Sequence, residues 1–188
     1  MAAKPTVEMF MITCNERQRT RHATLASLGC SDWRSDLSLV LDPDITQPTG
    51  PIRMLRNFRR LLSQAARSRS QFVLLVEDDL DFNEHIEHNA RAFAATLERD
   101  AVGALYQTTL SYKIGCQALL LHVVRAYELS KLAMLTSDKD LWPTDSWVRN
   151  VARVIQHTPS LVQHRDATST WGAPRHRSAS FSATWRHA

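Results

Sequence analysis

Cysteine is scarce: Cys14, Cys30 and Cys116 are the three in 188 residues. An odd, scattered set makes neither a disulfide framework nor a zinc cluster. Glycine is scarce too, with five residues and none before Gly29. That excludes a glycine-rich phosphate loop at the N-terminus, and no GxGxxG or P-loop pattern occurs elsewhere, so dinucleotide and ATPase readings fall away. No apolar run approaches the ~20 residues of a membrane-spanning helix. Solenoid periods and heptad arrays are absent. No signal-peptide pattern precedes the short apolar run Val7 to Ile12. These absences predict a reducing, cytoplasmic compartment and no transmembrane segment.

The chain is 44% hydrophobic and 22% charged, a globular balance. At this length roughly 70% of the unfolded surface can be buried, so a core needs no staple. The net charge of +4 is carried almost wholly by arginine. It permits phosphate or nucleic-acid binding without demanding either.

Apolar runs predict strands at Val7 to Ile12, Leu37 to Leu41, Phe72 to Val76, Val102 to Tyr106, Gln117 to Leu121 and Ser160 to Val162. Helices are predicted over Glu16 to Leu28 (closed by Gly29), Arg53 to Arg67, His85 to Glu98, Ala126 to Leu135 and Thr144 to Val154. In the second helix Met54, Phe58, Leu61, Leu62 and Ala65 share one face. Strands alternating with helices predict an α/β sandwich: a single domain with a mostly parallel or mixed central sheet flanked by helices. From Arg165 the aliphatics thin out and Ser, Thr and Arg dominate. The chain therefore reads as a domain over residues 1–164 and a basic Ser/Thr-rich tail or lid over 165–188.

The most informative segment is Leu74-Leu75-Val76-Glu77-Asp78-Asp79-Leu80-Asp81. A buried strand delivers adjacent carboxylates to its C-terminal end, the edge where open α/β sheets bind ligands. Like charges so close need a cation, and a divalent metal with oxygen ligands supplies one. The plain alternative is a solvated acidic turn in which Asp79 or Asp81 caps the next helix.

The order of motifs resembles the GT-A (Rossmann-like) glycosyltransferases that use nucleotide-diphosphate sugars. The resemblance spans roughly residues 7 to 170. It rests on Thr13-Cys14-Asn15-Glu16-Arg17 and Arg21 after the first strand, Asn57 in the second helix, and Glu77-Asp78-Asp79 as a form of the Asp-x-Asp metal motif. Further along it rests on Tyr112-Lys113-Ile114-Gly115-Cys116-Gln117-Ala118, Asp145-Ser146-Trp147 and Pro159-Ser160-Leu161-Val162-Gln163-His164. It implies a glycosyltransferase of hexosyltransferase type, with Mn²⁺ or Mg²⁺ and a nucleotide-sugar donor, a UDP-sugar first. By the same resemblance Asp79 and His164 are metal ligands, and Asp78 and Glu77 hold the ribose or a water of the metal shell. Thr13, Asn15, Arg17 and Arg21 bind the nucleotide, and Tyr112, Gly115 and Gln117 lie near donor sugar and acceptor.

Asp145 is the candidate general base, since an acceptor hydroxyl needs a carboxylate to take its proton; helix capping is its ordinary alternative. The acceptor stays open among a glycan, a small molecule and a modified nucleic acid. Two other readings stand beside this one. The first is a glycosyltransferase acting on a modified base in DNA. The second is a non-enzymatic nucleic-acid binder using the tail and the helix bearing Arg53, Arg56, Arg59, Arg60 and Arg67.

Overall fold

The computed structural model describes residues 4–43, 50–107, 117–165 and 177–188. The chain opens with β1 (Val7–Cys14), a short 3-10 turn (Asn15–Arg17) and α1 (Gln18–Gly29). β2 (Leu37–Asp42), α2 (Pro51–Ala65), β3 (Phe72–Glu77) and β4 (Leu80–Phe82) follow. Next come α3 (Ile86–Thr96), β5 (Val102–Ala104), β6 (Ala118–His122) and α4 (Val123–Leu135). The single turn α5 (Asp138–Leu141), then α6 (Thr144–Val151), β7 (Val154–Gln156) and β8 (Val162–His164), complete the order.

Six strands form the central sheet in the order β2-β1-β3-β6-β5-β7. β1 runs parallel to β2 and β3, and β5 parallel to β7. β6 is antiparallel to both its neighbours, β3 and β5. Five strands therefore point one way and β6 alone points back, so the sheet is mixed but mostly parallel, as the alternation of elements predicts.

The two faces are covered separately. Val7, Met9, Met11, Leu74 and Val76 face one cluster with Leu28 of α1 and Ile86, Ala90 and Ala94 of α3. Phe10, Val40, Val73 and Leu75 face the other, with α2, α4 and Trp147 of α6. This is the strand alternation of side chains, apolar on both faces because both are roofed by helices. The predicted stripe of α2 is the one that packs: Phe58, Leu61, Leu62 and Ala65 are buried, and Met54 packs beside them. Phe58 meets Trp147 edge to face at 6.2 Å.

Three differences from the sequence expectation have physical causes. β4 and β7 are three-residue strands, too short to show an alternation. The last expected strand lies two residues later, at Val162–His164, and pairs with β4 outside the central sheet. The late helix ends at Val151, because Val154 is taken up by pairing with β5.

The C-terminal residues 177–188 are tied into the fold. Gln163 donates from Nε2 to the Ser178 carbonyl and accepts from the Ser178 amide. Asn83 and Asn89, both fully buried, donate to the Trp185 carbonyl, and Asn89 accepts from the His187 amide.

Candidate functional site

The chain steps from β1 through α1 to β2 on one side, then through α2 to β3 on the other side of β1. The carboxyl ends of β1 and β3 thus flank the point where the winding direction switches, the ligand crevice of open α/β sheets. Thr13 and Cys14 close β1 there, and Glu77 closes β3 there with Asp78 and Asp79 directly after it.

Backbone contacts fix the acidic turn. Thr24 of α1 donates its hydroxyl to the Asp78 carbonyl at 2.7 Å and accepts from the Leu80 amide at 3.1 Å. The Arg165 amide donates to the Asp79 carbonyl at 2.7 Å, and the Arg165 guanidinium holds the Leu80 and Ala23 carbonyls. The Glu77 amide donates to the Gln117 carbonyl at 3.0 Å, which sets the start of β6 beside the end of β3.

The side chains divide the acids into two roles. Asp78 accepts from the Thr13 hydroxyl at 2.5 Å and from Arg17 Nε at 2.7 Å. Asp79 Oδ2 accepts from Arg17 Nη2 at 2.5 Å and lies 3.3 Å from His164 Nε2. Asp79 Oδ1 is buried and finds no donor among the described residues. Glu77, Asp79 and His164 each bring one donor atom within 4.8 Å of the other two. Glu77, expected beside the ribose or in the outer shell of a metal, therefore faces the same point as Asp79 and His164.

Electrostatics follow from this crowding. Burial and the Asp79 charge push the Glu77 carboxyl up to about 8. Burial also raises Asp78, against the pull of Arg17 and Thr13. For Asp79 burial works upward, but His164 and Arg17 outweigh it and hold the carboxyl below its ordinary value. For His164 burial works downward, and the contacts with Asp79 and Glu77 prevail, so the imidazole is raised. Burial and the charges of Glu77 and Asp79 push the Tyr106 phenol up to about 12. Cys14 at the end of β1 is pushed up to about 11, chiefly by burial, so it is no thiolate nucleophile at neutral pH.

Two carboxylates and an imidazole, with one buried carboxylate oxygen left without a donor among the described residues, form a set able to hold a divalent cation. Asp81 lies outside this group and pairs with Arg165.

The remaining expected residues are placed as follows. Arg21 donates to the Thr13 hydroxyl at 3.2 Å and to the Cys14 carbonyl at 3.3 Å. Asn57 donates to the Thr13 carbonyl at 3.1 Å. Asn15 is exposed at the start of the 3-10 turn. Gln117 stands beside Glu77, with its Oε1 buried and unpartnered among the described residues. Asp145 lies in the first turn of α6, where Oδ1 accepts from the Ser146 amide at 2.8 Å. Tyr112 and Gly115 lie outside the described residues.

The arginines of α2 are largely engaged within the fold. Arg53 is buried and pairs with Asp42 at 2.7 Å and Glu16 at 2.8 Å. Arg59 bonds Asp138 and the carbonyls of Ala133 and Thr136. Arg60 holds Asn57 Oδ1 at 3.1 Å.

The chain is similar to a glycosyltransferase involved in glycosylation of the major capsid of PBCV-1. The two share 13% identity over 88% of this chain and 95% of that one, with a TM-score of 0.57. It is similar to the galactosyltransferase LgtC, solved with donor and acceptor sugar analogs, at 8% identity over 86% and 87% of the two chains and a TM-score of 0.58. It is also similar to the glycosyltransferase GlyE of Streptococcus pneumoniae TIGR4, at 10% identity over 81% of this chain and 45% of that one, TM-score 0.56. The fold is the one these glycosyltransferases share. No family model and no curated protein matches the sequence. Among the described residues, no helix is long and apolar enough to cross a membrane.

Thr24 and Arg165 hold the acidic turn and were not among the residues expected there. Arg165 directly follows the Val162-Gln163-His164 segment, which was a usable signal. Thr24 gave none, since its role arises from contacts across the fold.

Proposed function

We propose that this chain is a metal-dependent glycosyltransferase of hexosyltransferase type. It moves a sugar from a nucleotide-diphosphate donor, a UDP-sugar first, to an acceptor hydroxyl. The observation that carries this reading is the convergence of Glu77, Asp79 and His164 at the β1/β3 switch point, with Asp79 Oδ1 buried and undonated. The likeness in fold to solved glycosyltransferases supports it.

In this reading Glu77, Asp79 and His164 hold the cation. When bound, it offsets the negative charge that develops on the departing diphosphate. Thr13, Asn15 and Arg21 form the nucleotide side of the crevice. Asp78, held by the Thr13 hydroxyl, faces the ribose. Gln117, together with Tyr112 and Gly115, lies near the sugar and the acceptor. Asp145 takes the proton from the acceptor hydroxyl as its oxygen bonds the anomeric carbon and the bond from that carbon to the diphosphate breaks. The acceptor class, including a modified base in DNA, is set by surfaces beyond these residues. The engagement of Arg53, Arg59 and Arg60 within the fold weighs against a purely nucleic-acid-binding role.

The test is a thermal-shift screen against UDP, GDP, CDP and dTDP, each with Mn²⁺ and with chelator. Ligands that bind only the folded chain raise its melting temperature by mass action. A metal-dependent rise with one nucleotide supports the reading and names the base. No rise with any of them, together with retention on DNA, overturns it in favour of a nucleic-acid binder.

A further inference from the structure

Two positive groups compete for Asp79. Arg17 Nη2 lies 2.5 Å and His164 Nε2 3.3 Å from the same oxygen, Oδ2. Arg17 Nε simultaneously holds Asp78 Oδ1 at 2.7 Å. One edge of a guanidinium thus spans two successive carboxylates, an arrangement stronger and more directional than a single ion pair. The Arg17 side chain is only 12% exposed, and the two aspartate side chains 5% each. Its third nitrogen, Nη1, has no partner among the described residues and is not among the enclosed polar atoms.

We propose that Arg17 is the resident counter-cation of this site. It occupies Asp78 and Asp79 until a nucleoside diphosphate takes up its guanidinium, and this exchange admits the divalent metal. The inference rests on the metal-dependent reading above. Its physics is charge exchange. A guanidinium and a divalent ion on one carboxylate repel each other, so the metal alone binds weakly while Arg17 is in place. Phosphate oxygens accept from guanidinium in the same forked geometry as carboxylates, and Nη1 is left over from the two bonds to the aspartates. Drawing Arg17 off Asp79 leaves both oxygens of that carboxylate to the metal. Metal and diphosphate then enter as coupled ligands, and by linkage each strengthens the other by the same factor.

The test measures free Mn²⁺ by electron paramagnetic resonance, with and without UDP as the probe, for the wild type, Arg17→Gln and Arg17→Lys. The inference predicts that UDP tightens Mn²⁺ binding by the wild type at least tenfold. Arg17→Gln should bind Mn²⁺ alone about tenfold tighter than the wild type, with the UDP enhancement reduced to a similar degree. Arg17→Lys keeps the charge but spans only one carboxylate, and its UDP enhancement falls between the other two. It carries the test if Arg17→Gln does not fold. A folded Arg17→Gln that binds Mn²⁺ no tighter than the wild type, or either variant with an undiminished enhancement, overturns the inference alone. A wild type that binds no Mn²⁺ with or without UDP overturns the metal-dependent reading, and the inference falls with it.

Discussion

His164 Nε2 stands 3.3 Å from Asp79 Oδ2, which joins the end of β8 to the turn after β3 across 85 residues of chain. The two elements meet because β4 and β8 pair in register, Leu80 opposite His164. A short strand pair outside the main sheet therefore completes the donor set. Exchanging His164 for Ala should weaken Mn²⁺ binding by ten- to a hundredfold while the protein stays folded, read by calorimetric titration. Unchanged affinity would remove His164 from the site.

Metal binding should depend steeply on pH. Without metal, Glu77 is raised to about 8 and His164 above its ordinary value. Both must lose protons to act as ligands, so affinity should climb as pH rises from about 6 to above 8, with protons released on binding. The same shifts set the stability of the metal-free chain. A raised Glu77 or His164 binds its proton more tightly folded than unfolded. That contribution is complete below the unfolded values and is lost as pH rises through the folded ones. Melting in chelator should therefore weaken between about pH 5 and above 8, and Mn²⁺ should restore more stability at the alkaline end. A metal-free melting temperature that rises over this range contradicts the assignment.

Arg53 anchors the ends of β2 and the 3-10 turn from inside α2. Its side chain is 3% exposed and pairs with Asp42, itself 9% exposed, and with Glu16, which is 43% exposed. Replacing Arg53 with Met removes the 2.7 Å partner of the buried Asp42 and leaves Arg60 Nη1 at 3.9 Å, and should cost about 2 kcal/mol, read by urea unfolding. Replacing Glu16 with Gln removes a half-exposed partner and should cost under about 1 kcal/mol. Equal losses would show that burial does not govern this cluster.

The C-terminal segment is part of the fold. Removing Ser182 to Ala188 takes both acceptors from Asn83 Nδ2 and leaves the Asn89 side chain only its bond to Asn83 Oδ1. At about 1–3 kcal/mol for each unsatisfied buried group, the loss should exceed about 3 kcal/mol. Trp185→Phe keeps the accepting carbonyl and should cost much less. A truncated chain as stable as the full one would contradict these contacts.

Much of the frame is legible in the sequence. The stripe of α2 and the uninterrupted run of β3 are long enough for periodicity to speak. The acidic turn is legible because three carboxylates after such a run have few structural uses. What escapes is short or distant. β4 and β7 have three residues each and no pattern. Thr24 and Arg165 hold the turn by bonds to backbone carbonyls 54 and 85 residues away. Arg17 reads as a diphosphate ligand by position alone, and its bridge across Asp78 and Asp79 emerges only when β1 and β3 are laid side by side.

The central claim is that Asp79 holds a metal on which sugar transfer depends. The direct measurement is release of nucleoside diphosphate from a panel of nucleotide sugars, with Mn²⁺ or chelator, by the wild type and Asp79→Asn. The account predicts release from one donor that requires Mn²⁺ and falls at least about a thousandfold in Asp79→Asn, with the variant still melting cooperatively in chelator. Release that persists in chelator, or a variant as active as the wild type, would contradict it.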